Sequence, residues 1–199
     1  MTDYFALLNQ TRRPWLDADS LKQEFLALSS LTHPDRFHNS TTGEKTFASD
    51  QFAALNSAYQ CLKEHRDRLR HLVHLELGRN PGDLKHVPEA MADAFMQIAA
   101  ACRRAAPLVE GKKRMQSPLL QASFFQQVQP ELESLEKLQQ RVTGMQADAL
   151  EQMRKLDAAW ISSTDREPLV LKLEELAQIL GFHSRWLAQL QETHLRLTL

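Results

Sequence analysis

Cysteine is nearly absent: the chain has two, Cys61 and Cys102, far apart and with no Cys-x-x-Cys pair. That excludes a disulfide framework and a cysteine-built zinc site. Glycine is sparse as well, six in 199 residues, and no Gly-rich loop that could cradle phosphates occurs, so ATP is not expected to bind this chain. No apolar run reaches the roughly eighteen residues that a membrane-spanning helix needs. Neither sign of charge dominates: 24 basic and 25 acidic residues give a formal net charge of -1, which speaks against a nucleic-acid surface. Met1-Thr2-Asp3-Tyr4 shows no basic region leading into an apolar one, so no secretory signal is expected and a cytoplasmic location is the default.

What the chain does have is apolar periodicity. Hydrophobic residues make up 43%, enough to bury the core of one large or two small domains. The most informative stretch is polar: Thr32-His33-Pro34-Asp35-Arg36-Phe37. Pro34 lacks a backbone N–H and pushes His33 out of the helical region, so a preceding helix must stop near Thr32. An imidazole and a carboxylate then stand side by side on a stiffened, exposed corner.

Around that corner the pattern is helical. Asp3 to Asn9 predicts a short helix with Tyr4, Phe5, Leu7 and Leu8 on its apolar face, too short to stand alone. Arg12, Arg13 and Pro14 break it, Trp15 and Leu16 tuck the connection against the core, and Asp17 or Asp19 caps a helix over 18–31. In that helix Leu21, Phe25 and Leu28 recur at helical spacing, with Leu26 and Leu31 off the line. A polar loop over 38–43 leads to a third helix over 44–63. Its Phe52, Leu55, Tyr59 and Leu62, with Phe47 before them, are expected to pack on Leu21, Phe25 and Leu28. Two antiparallel helices would then hold the turn at their tip. Leu69, Leu72, Val73 and Leu75 continue a shorter helix that Gly78 closes, and Pro81 with Gly82 marks a boundary.

The remainder reads as helix throughout. Pro88 sits at a first helical position, Met91, Phe95, Ile98 and Cys102 follow at spacings of three or four, and Pro107 is expected to end the run. Gly111 to Arg114 reads as a basic loop. Ser117-Pro118 restarts a helix that Pro130 kinks or re-caps, and Leu135, Leu138, Val142, Met145, Ala149, Met153, Leu156 and Trp160 form a bundle seam. Ser162 to Asp165 caps a last helix carrying Leu169, Leu173, Leu176, Leu180, Leu187, Leu190 and Leu197. Three antiparallel helices burying one stripe each are the economical architecture.

Asp3-Tyr4-Phe5 with Leu8, the His33-Pro34-Asp35-Arg36-Phe37 turn, and Leu55-Asn56-Ser57-Ala58-Tyr59 with Leu62 together resemble a J-domain. A J-domain leading directly into a helical bundle resembles the HscB family, co-chaperones of iron-sulfur cluster assembly. The resemblance implies an all-α chain: a J-domain over 1–78 (a helical hairpin with its His-Pro-Asp loop), a linker over 79–87 and a C-terminal three-helix bundle over 88–199. It implies a DnaK/HscA-type chaperone ATPase as partner, met by His33, Pro34, Asp35, Arg36, Lys22, Arg12 and Arg13. No catalytic, cofactor or metal site is implied, and no nucleic-acid or membrane partner. The bundle would carry the client, the iron-sulfur scaffold protein in that family, on a face with Met91, Phe95 and Met96. The family's Met/Leu- and Glu-rich scaffold-binding run has no clear counterpart here. Nor does the helix before the turn carry the usual basic residues: Ser29 and Ser30 occupy such positions, Lys22 is alone, and Thr32 replaces an aromatic.

Other readings stay open. One is an adaptor that keeps the J-domain but whose bundle binds a different client. Another is an enzyme using His33 and Asp35 as an acid-base pair, without a nucleophile, metal set or pocket to support it. His71 and His74, one turn apart, read as a solvated helix face, as do His86, His183 and His194. Arg103-Arg104 and Lys112-Lys113-Arg114 also read as solvated, because 15 basic and 15 acidic residues balance after Gly78.

Overall fold

The first three helices start where a short polar side chain takes up free backbone N–H groups of the first turn. Asp3 accepts from the amides of Phe5 (3.0 Å) and Ala6 (3.2 Å) and starts α1, Tyr4–Leu7. Asp17 caps α2, Ala18–Thr32, through the Ser20 amide at 2.8 Å. Thr41 and Glu44 cap each other in a reciprocal box at the start of α3, Thr42–Lys63. The fourth helix, α4 (His65–Leu77), ends on Gly78, whose φ of 65° is open to glycine at little cost. Beyond it lie α5 (Glu89–Lys112), α6 (Pro118–Ser162) and α7 (Glu167–Thr198). The computed structural model describes residues 2–37, 41–82, 87–112 and 118–198, with the side chains of residues 34, 35 and 118–122 excepted. Every regular element among the described residues is helical, and none of these helices is long and apolar enough to cross a membrane.

Two compact units emerge, and the chain passes between them more than once. One comprises Met1–Gly82 with Glu151–Gln178, the other Asp83–Leu150 with Ile179–Leu199. The division after Gly82 falls within the linker read from sequence over 79–87. The return of 151–178 to the first unit was not read, because it depends on ion pairs between residues distant in sequence.

In the first unit α2 and α3 form an antiparallel hairpin, with Phe25 stacked on Tyr59 at 4.3 Å. Leu21, Leu55, Ala58 and Leu62 are buried, while Leu26 and Leu31 are exposed, as the spacing predicted. Phe47 departs from expectation: it is 66% exposed. It lies five residues before Phe52, about 140° around the helix, and Ala48 occupies the inward position instead. Asp157 of α6 ties the segment after α1 into this unit. It accepts both arms of the Arg13 guanidinium and, at 2.9 Å, the Trp15 amide. The Trp160 indole donates to the Arg12 carbonyl at 3.0 Å. Trp15 itself lies under the Arg154 guanidinium at 4.3 Å. Further along, Glu174 accepts both arms of Arg79 at 2.9 Å and the Gly82 amide at 2.6 Å. The Arg79 pairing holds the Glu174 carboxyl below its ordinary value.

The second unit is an up-down-up bundle. Arg104 pairs with Glu131, and Arg141 with Asp93, so α5 and α6 run antiparallel. Contacts of Phe95 with Trp186 and Lys112 with the Leu197 carbonyl set α7 parallel to α5. Met91, Ala94, Ile98, Val128, Leu135, Val142 and Leu190 share its core. Pro107 does not end α5, and the helix continues through it to Lys112. Pro107 is exposed, while Ala105 is buried and Leu108 and Val109 pack on the core. Pro130, exposed in the same way, lies within α6 without ending it. Gly111 and Lys112, expected in a loop, are the last turn of α5. Lys113 and Arg114 lie outside the described residues.

Two histidines expected at a solvated surface are core residues. His71 is 3% exposed, accepts the Tyr4 amide on Nε2 at 3.0 Å and stacks on Tyr4 at 4.6 Å. His183 is 2% exposed, and its ring nitrogens find no hydrogen-bond partner among the described residues. His194 is half-buried, 3.5 Å from Glu136, and His86 lies outside the described residues. Burial lowers the pKa of His65, His71 and His183 from the ordinary 6.5. A depressed folded-state value means that the unfolded chain binds the proton first, so stability is fully present above 6.5 and falls as pH drops below it. Melting temperature measured from pH 7.5 to 5 is therefore expected to decline, with a shallower slope in His71→Gln. An equal slope in that variant would contradict the assignment.

Candidate functional site

The corner at His33 is built by the helix that ends there. His33 leaves the helical region at φ -60°, ψ 129°, the extended conformation that Pro34 imposes on the residue before it. A short 3-10 turn, Pro34–Phe37, follows, closed by the Arg36 amide donating to the His33 carbonyl at 3.0 Å. The Arg36 guanidinium reaches back to the Ser30 carbonyl at 3.1 Å, satisfying one of the free C=O groups of the last turn of α2. Thr32 donates to Leu28 O at 3.2 Å. On the other side, the His33 ring meets Phe52 of α3 edge-on at 5.3 Å. The turn is thus braced from both helices of the hairpin, with His33 exposed at its tip. The side chains of Pro34 and Asp35 lie outside the described residues.

Of the basic residues expected around the turn, Lys22 and Arg36 are exposed. Arg12 and Arg13 are instead committed to the fold. Arg12 pairs with the α1 cap Asp3 at 2.6 Å, and Arg13 is held by buried Asp157. Burial alone would raise the Asp3 carboxyl, but hydrogen bonds from Arg12 and from the amides of Ala6 and Phe5 outweigh it and hold it below its ordinary value.

The expected client face is also divided. Met91 is 5% exposed and belongs to the bundle core, whereas Phe95 and Met96 are exposed. Between α5 and α6 runs a groove of about 350 Å³ lined by Gln97, Ala100, Arg104, Ser134, Lys137 and Leu138. One end is framed by Arg141 bound to Asp93 and Gln97, the other by Arg104 bound to Glu131 and Ser134. This groove was not foreseen: its two walls lie thirty or more residues apart in the sequence, and only pairing of the helices brings them together. Among the described residues no three His, Cys, Asp or Glu side chains cluster as a metal site.

No protein-family model matches the chain. A curated relative, the co-chaperone protein HscB homolog of Pseudoalteromonas atlantica, is 35% identical over 95 residues, covering 47% of this chain and 52% of that protein. The chain thus spans about half the length of that relative. Chaperone HscB from Vibrio cholerae shares the fold with a TM-score of 0.68 at 19% identity, covering 98% of this chain and 99% of that one. The human co-chaperone protein HscB does so with a TM-score of 0.63 at 18% identity, covering 98% and 81%. The fold is therefore the HscB fold, a helical hairpin domain with a helical bundle, along nearly the whole chain.

Proposed function

We infer that the chain is a J-domain co-chaperone of the HscB type, which engages a DnaK/HscA-type chaperone through the turn at His33 and stimulates its ATPase. The observation that supports this most is the turn itself: His33-Pro34-Asp35 at the exposed tip of an antiparallel hairpin, braced by Arg36 to α2 and by Phe52 to α3. Such a tip suits hydrogen bonding to a second protein, where an imidazole and a carboxylate bias the arrangement of the partner's domains, an effect on a coupled equilibrium. Residues 1–78 act as the J-domain, 79–87 as linker and 88–199 as the client-carrying bundle, in the cytoplasm. The test is single-turnover ATP hydrolysis by the host's DnaK-type chaperones with and without this protein; no stimulation of any of them overturns the reading.

The client we propose is an iron-sulfur scaffold protein. A second reading, a different client, is favoured by the chemistry of the bundle. Met91 is turned into the core, and the groove between α5 and α6 carries the cations Arg104 and Lys137 where the family resemblance calls for acidic residues. Titration of purified scaffold protein onto the full chain separates the two: saturable binding supports the first, its absence the second.

A further inference from the structure

The geometry points to an occupant for the groove between α5 and α6: an extended, acidic segment of a client protein, with a carboxylate at Lys137 and Ser134 and an apolar side chain on Ala100 and Leu138. This deepens the second reading above, the different client, and rests on 88–199 being the client-carrying bundle. Arg104 is bound to Glu131 at 3.0 Å and Arg141 to Asp93 at 2.8 Å, so the two carboxylates that frame the groove are already matched by guanidinium groups. Lys137 is exposed on the groove wall and forms no ion pair among the described residues. Glu133, one turn before it on α6, accepts from the Gln129 amide at 3.3 Å. Three cations thus face two carboxylates, and Lys137 is the one left over. Ser134 accepts from the Arg104 guanidinium at 3.3 Å, which leaves its hydroxyl proton for a second acceptor.

Size and lining say what kind of anion fits. Gln97 and Arg104, the two ends of the groove on α5, lie about 10 Å apart along the helix axis. An extended chain covers that distance in about three residues, and its alternate side chains point the same way. Two of the three therefore enter the groove. Its volume of about 350 Å³ lies near the bottom of the range for ligand pockets, which suits two side chains better than a cofactor. Between the polar ends the floor is apolar, Ala100 with Leu138, the latter 8% exposed. Met96, 60% exposed and four residues before Ala100, lies on the same side of α5. A nucleic-acid strand is bound by neutralising several phosphates in a row, and one unmatched cation does not supply that. A single cation above an apolar floor selects a polypeptide in which a carboxylate accompanies an apolar residue, by matched charge and by burial.

The probe is a capped hexapeptide alternating leucine and glutamate, with a twin carrying glutamine for glutamate, each titrated into the full chain and followed by amide chemical shifts in NMR. The acidic peptide is expected to move resonances within 96–104 and 131–141 and to saturate with a Kd of about 1 mM or tighter. The twin is expected to bind at least about fivefold more weakly. Lys137→Gln should weaken the acidic peptide about three- to fivefold, and Lys137→Glu more than about tenfold. Lys137 is exposed, so both variants should melt as wild type does. Equal binding of the twin, shifts that fall outside the groove, or an unchanged Kd in Lys137→Glu overturns the inference. The same shifts from free sodium glutamate at equal concentration also overturn it, because the groove would then read an anion and not a chain. Stimulation of the chaperone ATPase is read separately on wild type. Stimulation without peptide binding removes the groove inference and leaves the co-chaperone reading; peptide binding without stimulation removes that reading and leaves the groove as a site for acidic segments.

Discussion

The His33→Gln variant is expected to fold as wild type does and to lose stimulation of a DnaK-type ATPase by about 10- to 100-fold, the range of typical coupling free energies between sites. The two halves of this expectation have separate causes. His33 is exposed, and its ring approaches Phe52 edge-on at 5.3 Å. Losing such an aromatic pair costs about 0.5–1.5 kcal/mol of stability. Pro34 sets the backbone of the turn, and Arg36 closes it through the His33 and Ser30 carbonyls. Glutamine keeps polarity and length but not the imidazole, its chargeable N–H donor or its ring face. Circular-dichroism melting of the variant, run beside single-turnover hydrolysis, reads both halves. A variant that melts with wild type and still stimulates would remove His33 from the mechanism; one that melts much earlier would mean the ring supports the hairpin more than its exposure indicates.

What the sequence revealed and what it hid divide along one physical line. Signals carried by neighbours in the chain survived folding: Asp17 as a cap, Gly78 as a helix end, Pro34 as a helix stop, and the stripe from Leu135 to Trp160, buried or nearly so along its length. Signals that depend on a distant partner did not. His71 looks like a solvated helix residue until the Tyr4 amide, 67 positions away, is placed against it. Arg12 and Arg13 look like free cations beside the turn until Asp3 and Asp157 claim them. Pro107 shows the same in reverse: local chemistry disfavours it within a helix by about 3 kcal/mol, yet burial of Ala105 with Leu108 and Val109 packed on the core holds α5 together around it. For the site, the turn was legible because its geometry is local. The client face was not, because whether Met91 points inward or outward is decided by α6 and α7.

Asp157→Ala is expected to destabilise the protein by about 2–4 kcal/mol, near the range for removing one partner of a buried ion pair. Asp157 is 5% exposed and accepts three hydrogen bonds, two from Arg13 and one from the Trp15 amide. Alanine leaves that amide and the guanidinium without an acceptor in a place that water enters poorly, and such orphaned groups account for most of the penalty. The Arg13 side chain is 35% exposed, so part of its charge is resolvated and the loss stays at or below the upper end. The effect should spread beyond the pair. Arg13 and Trp15 fix the segment between α1 and α2, and buried Arg68 donates to the Pro14 carbonyl of the same segment at 2.8 Å. Burial already lowers the Arg68 pKa to about 10, so loosening its cover lets the guanidinium return to water and opens the base of the hairpin. Arg13→Ala should cost less, because the carboxylate it abandons keeps the Trp15 amide. Urea titrations of the two variants decide the matter: Asp157→Ala losing more than Arg13→Ala supports the buried carboxylate as the anchor joining 151–178 to the first unit, and equal small losses would show that the hairpin unit stands without it.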